Sequence, residues 1–162
     1  LSGPAVVTAL VQWLKTLDRK YSYRILFVPE TIGSIVYLSK NLNHLQQKLK
    51  AGFVITCIGD NNNYSFVNTP GADTLADEVI EYAAKTQSND NYKKYSFLHR
   101  GSDERQYCSV GVELPVVSVC RSKYSEYPEY HTSLDNLEYI SAEGLQGGFE
   151  YLQKAILLLE KN

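Results

Sequence analysis

Methionine is missing altogether from these 162 residues, and histidine and cysteine occur three times each. Each scarcity excludes something. Three histidines, His44, His99 and His131, are too few to build a zinc site from imidazole, so such a site would draw most of its ligands from carboxylates. Cys57, Cys108 and Cys120 are odd in number and lack zinc-finger spacing, and two of them sit in apolar runs that read as strands. That pattern predicts reduced thiols and a cytoplasmic home. An excess of one charge is missing too: Lys+Arg number 16 against 18 Asp+Glu, a formal charge of -2. No field exists to draw nucleic acid or an anionic membrane surface, and neither is expected as a partner. No apolar stretch approaches the roughly 20 residues that cross a bilayer, and the N-terminus carries no charged-then-apolar secretion signal. The lack of methionine, with leucine at position 1, leads us to expect a piece of a longer protein.

What remains is ordinary for a soluble globular protein, 44% hydrophobic and 21% charged, and the expectation is a single domain over residues 1–162. Helix and strand alternate along it. Pro4 sits in a first turn, and Val6, Ala9, Leu10, Trp13, Leu14 and Leu17 recur at helical spacing. The nearly continuous apolar run Arg24-Ile25-Leu26-Phe27-Val28 predicts a central strand closed by Pro29, with Glu30 emerging at its carboxyl end. Ile35, Leu38, Leu42, Leu45 and Leu49 form one face of a helix over residues 32–50, with Gly52 as terminator. A second buried strand is predicted over Phe53–Ile58, and Asp60 repeats the placement of Glu30. A short strand over Tyr64–Val67, a helix over Asp73–Gln87 and a strand over Tyr95–Leu98 follow. Leu114–Val119 reads as a buried strand, and Ser141 as the N-cap of a last helix with Leu145, Phe149, Leu152, Ile156 and Leu159 on one stripe.

This pattern predicts an α/β fold in three layers: a mainly parallel mixed sheet with helices on both faces. Such sheets place their chemistry outside the carboxyl ends of the strands, which would line up Glu30, Asp60, Asp103 and His131 along one edge. Carboxylates and a histidine gathered there suit a divalent metal, above all zinc. The competing explanation is plain: acids just past strands are common turn residues and caps. Tyr124, Tyr127 and Tyr130 beside His131 offer either a binding surface or half-buried packing. Cys108 reads as a small buried residue rather than a nucleophile.

The order Leu1-Ser2-Gly3, Phe27-Val28-Pro29-Glu30-Thr31-Ile32-Gly33-Ser34, Ile58-Gly59-Asp60, Gly101-Ser102-Asp103 and Tyr130-His131-Thr132-Ser133-Leu134-Asp135-Asn136 resembles the co-catalytic zinc aminopeptidase family typified by bacterial leucyl aminopeptidases. More narrowly, it resembles the aminopeptidase-like domain of proteins labelled as polysaccharide biosynthesis proteins. The resemblance covers nearly the whole chain and implies a zinc-exopeptidase-like fold. It implies Asp60 and His131 as metal ligands and Glu30 as general base on a metal-bound water. Asp103 takes a supporting or substrate-orienting place at the active site, and Glu104, Arg105 and Tyr130 stand on the pocket wall. The substrate implied is a small peptide or an amino-acid derivative.

The sequence departs from that family twice. Where adjacent glutamates are expected, it has Pro29-Glu30-Thr31. An ungapped match through Gly33 makes Glu30 the base and puts Thr31 at a ligand position; a shift by one makes Glu30 the ligand and leaves Pro29 at the base position. The upstream histidine and bridging aspartate of the family are also missing, so an N-terminal part is expected to be lacking and zinc binding by these residues alone to be weak or absent. Three functions follow as alternatives. The first is a zinc-dependent aminopeptidase-like hydrolase domain, inactive by itself. The second is a non-catalytic metallopeptidase-like binding module. The third is a zinc amidohydrolase or cyclase acting on a modified sugar or amino-acid derivative.

Overall fold

The computed structural model describes residues 2–162. Five α-helices and four strands alternate along it: α1 Ser2–Leu14, α2 Ile32–Lys48, β1 Gly52–Ile55, β2 Ser65–Val67, α3 Leu75–Ser88, β3 Lys93–Tyr95, α4 Glu104–Tyr107, β4 Val116–Cys120 and α5 Ala142–Lys161, with a 3-10 turn at Phe97–His99. The sheet order is β1-β4-β2-β3. β1 and β4 run parallel, as do β2 and β3, while β2 and β4 are antiparallel. The α/β architecture expected from the pattern is present.

The pleat of β4 explains the layers. Val117 and Val119 face one side and pack with Val6, Leu10 and Leu14 of α1, Val79, Ile80 and Ala83 of α3, and Tyr151, Leu152 and Ile156 of α5. Val116 faces the other side, against Leu38 and Leu45 of α2 and Cys108 beyond α4. Alternate side chains of one strand therefore serve two cores. Helix α3 begins with a capping box in which Thr74 and Asp77 satisfy each other's backbone N–H groups, and the Ser141 hydroxyl accepts from Gly144 N at 2.9 Å to start α5.

Helix α5 lies unusually close to the loop after β1. A Cβ on Gly148 would stand 2.5 Å from the Ile58 carbonyl oxygen, and one on Gly144 would meet the Gly59 carbonyl. Two glycines one turn apart thus let the helix rest on backbone, which holds the loop leading to Asp60.

Three expectations need correcting. Arg24–Val28 forms no strand: the chain runs from Ser22 to Pro29 without bend, turn or ladder. Its apolar side chains remain open, with Phe27 60% exposed. An apolar run becomes a strand only where a neighbour supplies its hydrogen bonds, and none of the described residues does so. Gly52 opens β1 rather than ending α2, whose C-cap is Leu49. The segment expected as a strand over Tyr95–Leu98 is displaced, with β3 ending at Tyr95 and the 3-10 turn taking Phe97–His99. Among the described residues no helix is long and apolar enough to cross a membrane.

Candidate functional site

Glu30 precedes α2 by two residues, and Thr31 between them has φ 63 and ψ -70. The Ile32 amide donates to the Glu30 carbonyl at 2.7 Å. This is a γ-turn of the positive-φ kind, rare for any residue and least tolerated by a β-branched one. Thr31 makes no side-chain cap. Its amide instead donates to Asp103 Oδ1 at 2.7 Å, and the buried Ser34 hydroxyl donates to Asp103 Oδ2 at 2.6 Å. A carboxylate from the opposite loop thus caps α2 and favours its positive end. The Ser102 hydroxyl donates to Glu30 Oε1 at 3.0 Å, so Ser102 and Asp103 together fix where Glu30 points.

Asp60 is 2% exposed. Its Oδ1 accepts from the Asn62 amide at 3.0 Å and the Ser122 hydroxyl at 2.7 Å, while Oδ2 accepts from the Ser122 amide at 2.9 Å. It ties the end of β1 to the end of β4. Arg121 is buried beside it and donates to Asn61, Asn63 and Gly144, with its guanidinium 3.9 Å from the centre of the Tyr64 ring. Burial pulls the Arg121 pKa down from its ordinary value.

His131 is exposed, has φ 60, and stacks on Tyr130 with ring centres 3.9 Å apart. Tyr130 in turn meets Tyr124 and Tyr127. The tyrosine cluster is therefore a packed aromatic wall with one open side. Burial raises the Tyr124, Tyr127 and Tyr130 hydroxyls above their ordinary pKa, with Glu104 a further cause at Tyr124.

Glu30, Asp60, Asp103, Tyr130 and His131 all border one cavity of about 1180 Å³. Glu104 and Arg105, expected on the pocket wall, are not among the residues that border it. Glu104 is fully buried: its Oε1 accepts from the Gly101 and Ser102 amides at 2.7 and 3.0 Å and from the Tyr124 hydroxyl at 2.7 Å. It holds the turn that presents Ser102 and Asp103. Arg105 is exposed and donates from Nε to the Ser102 carbonyl at 3.1 Å. The sequence also left unmarked Ser102, Ser34 and Ser122, whose hydroxyls bond to Glu30, Asp103 and Asp60; Ser102 and Ser34 lie within the motifs around Asp103 and Glu30, whereas Ser122 is remote from Asp60 in sequence.

Among the described residues no three His, Cys, Asp or Glu side chains are grouped to hold one ion, and both Asp60 oxygens already accept from Ser122. The cysteines are unpaired. Cys108 is buried, and burial pushes its thiol up to about 11, which suits an inert packing residue.

The model of a family described as a domain of unknown function (DUF4910) matches residues 1–162. A curated protein of Clostridium acetobutylicum, "Putative polysaccharide biosynthesis protein with aminopeptidase-like domain", is 41% identical over 162 residues, which are 100% of this chain and 37% of that protein. A crystal structure of a "putative peptidase" from Clostridium acetobutylicum superposes with a TM-score of 0.92 at 40% identity, covering 99% of this chain and 37% of that one. The chain therefore spans little more than a third of the length of either protein.

Proposed function

We propose a function from one premise: the chain belongs to the family described as a domain of unknown function (DUF4910). Residues 1–162 are a peptidase-like domain, and in the longer protein they contribute the general-base side of a hydrolase that cuts an amide bond close to a free amine. The observation that carries this reading is the presentation of Glu30. Its carboxylate stands exposed at the cavity on a strained turn, with Ser102 on one oxygen and Asp103 holding the helix behind it. Backbone strain kept at a cavity rim by surrounding hydrogen bonds is characteristic of functional positions. A carboxylate held this way can take a proton from an attacking water, and the ring faces of Tyr130 and His131 can flank a small peptide or amino-acid-derived substrate.

Zinc belongs to this reading as what the family resemblance implies for the longer protein, completed by side chains outside residues 1–162. The co-catalytic zinc aminopeptidases are the class we propose for it. The cytoplasm is the proposed compartment, in keeping with three unpaired thiols.

One observation favours a second reading. Asp60 is consumed by Ser122 and Asn62, and Thr31 stands where a second carboxylate is expected; a binding module without catalysis would look the same. Metal analysis and an amino-acid anilide assay on the full-length protein separate the readings. Bound zinc with turnover supports the hydrolase, zinc without anilide turnover the amidohydrolase or cyclase, and neither the binding module. Glu30→Gln is expected to lower turnover by about 10²-fold or more while the fold is kept, the range for loss of a positioned base. Unchanged turnover in that variant would place the base elsewhere.

A further inference from the structure

Charge around Glu30 is one-sided. Four carboxylates, those of Glu30, Asp60, Asp103 and Asp135, border the cavity. The lysines that border it, Lys48 and Lys50, stand at and past the end of α2, about 24 Å along the axis from the helix's first residue. Arg24, also on the border, donates to the Tyr37 hydroxyl at 2.8 Å.

One cation is tied to the supports of Glu30 itself. Arg105 donates from Nε to the Ser102 carbonyl at 3.1 Å and from Nη2 to the Thr31 hydroxyl at 3.5 Å. Ser102 bonds to the Glu30 carboxylate, and Thr31 follows Glu30 in the chain. These two bonds occupy the side edge of the guanidinium and fix its plane. The end-on pair of N–H groups, on Nη1 and Nη2, has no partner among the described residues, and neither of the ion pairs there includes Arg105. The side chain is exposed, so the fork is aimed and accessible. Two parallel N–H groups held in this way match the two oxygens of a carboxylate. Burial is the main cause of the raised Tyr130 pKa, with Glu30 raising it further and Arg105 lowering it; acid and guanidinium thus act on one hydroxyl at the cavity wall.

We propose that Arg105 receives a carboxylate of the substrate, on the leaving-group side of the bond to be cut. The inference rests on the hydrolase reading of Glu30 and narrows its substrate to a dipeptide, or a similar amide whose leaving amine is a free amino acid. Charge decides which end lies where. A free amine is attracted to a cavity bordered by acids, whereas a carboxylate is repelled by them and needs a fixed cation to hold it. Arg105 lies just outside that border. In a dipeptide the terminal carboxylate stands one residue repeat, about 3.8 Å, past the bond that breaks. That short reach suits a guanidinium bonded both to the residue after the base and to the residue that orients it. A longer peptide carries its carboxylate past the fork.

Steady-state kinetics of the full-length protein on leucyl-leucine and leucyl-leucinamide test this, since the two differ only in whether the terminal carboxylate is free. The free acid is expected to have a kcat/KM about 10 to 10²-fold higher, mostly through KM, the range for hydrogen bonds to a charged group. Arg105→Gln should bring that ratio to about one, and Arg105→Lys, which keeps the charge but loses the fork, should leave it between the two. Equal kcat/KM for both substrates in the native protein, or an equal loss on both in Arg105→Gln, would overturn the proposal. A second readout needs no turnover: the Arg105 Nε–H signal in NMR, titrated with leucine and with leucinamide. Leucine should shift it and leucinamide should not. A shift by leucine in a protein that cuts neither peptide would sink the hydrolase reading and leave the carboxylate site standing. No shift by leucine would overturn the site whatever the turnover.

Discussion

Asp103 offers the most direct way to ask whether the capping of α2 from the opposite loop is what aims Glu30. Asp103→Ala deletes the acceptor of the Thr31 amide at 2.7 Å and of the Ser34 hydroxyl at 2.6 Å. Hydrogen bonds to a charged group contribute about 1.5–3 kcal/mol each, and Ser34 is fully buried, so a loss of about 3–5 kcal/mol is expected. Asp103→Asn keeps a carbonyl for the Thr31 amide and an amide group beside the Ser34 oxygen. Only the charge assistance goes, a cost of about 1–2 kcal/mol. The assay is native-state exchange at the Gly33 and Ile35 amides, which donate to the Pro29 and Thr31 carbonyls at 2.9 Å in the first turn of α2. At tenfold per 1.4 kcal/mol, exchange should quicken by about 10² to 4 × 10³-fold in the alanine variant and by about 5 to 30-fold in the asparagine variant. Equal effects from the two substitutions, or changes below about threefold in both, would refute the capping argument.

Asp77 supplies a pH dependence. Burial pushes its carboxyl up, but hydrogen bonds from Thr69, Thr74 and Asn68 outweigh burial and hold it below its ordinary value. A depressed folded-state pKa contributes stability above the unfolded value of about 3.9 and loses it as pH falls through the lower folded value. The stability gap between the native protein and Asp77→Asn should accordingly be widest near neutral pH and close in acid, as followed by denaturant melts across the titration. Gly148→Ala should raise helix propensity by about 1 kcal/mol yet lower stability overall by about 1–3 kcal/mol, because its Cβ would sit 2.5 Å from the Ile58 carbonyl and 2.7 Å from Ile58 Cγ1. A thermal melt checks the sign, and a stabilised variant would mean that α5 is free to move away from that loop.

The elements that announced themselves in the sequence did so because their partners lie within residues 2–162. The stripe Leu38, Leu42, Leu45, Leu49 finds β4 and the Cys108 region, and the last stripe finds α1, α3 and the sheet, so periodicity and packing agree. Arg24–Val28 has the same apolar signature as β4, but composition cannot say whether a neighbour is present to complete its hydrogen bonds. Helix α4 was invisible for a different reason: four residues, Glu104–Tyr107, are too few to show a period. Glu104 stood on the pocket wall only as an implication of the family resemblance, and its burial is unusual for a charged side chain. The turn amides of Gly101 and Ser102, which solvate it in place of water, are a backbone feature that side-chain spacing does not encode. Asp60 was legible as a position after a strand, whereas its engagement by Ser122, far along the chain, was not.

Between Glu30 and the first turn of α2 there is a single residue, Thr31, fixed in a conformation that leaves no slack. Loops ordinarily absorb small tilts of the helices they lead into; this connection has nothing with which to absorb them. Helix and carboxylate therefore act as one lever. Its long arm, at Leu45 and Lys48, borders the same cavity as its short arm at Glu30, so a tilt of α2 at one end of that space would be carried to the acid at the other.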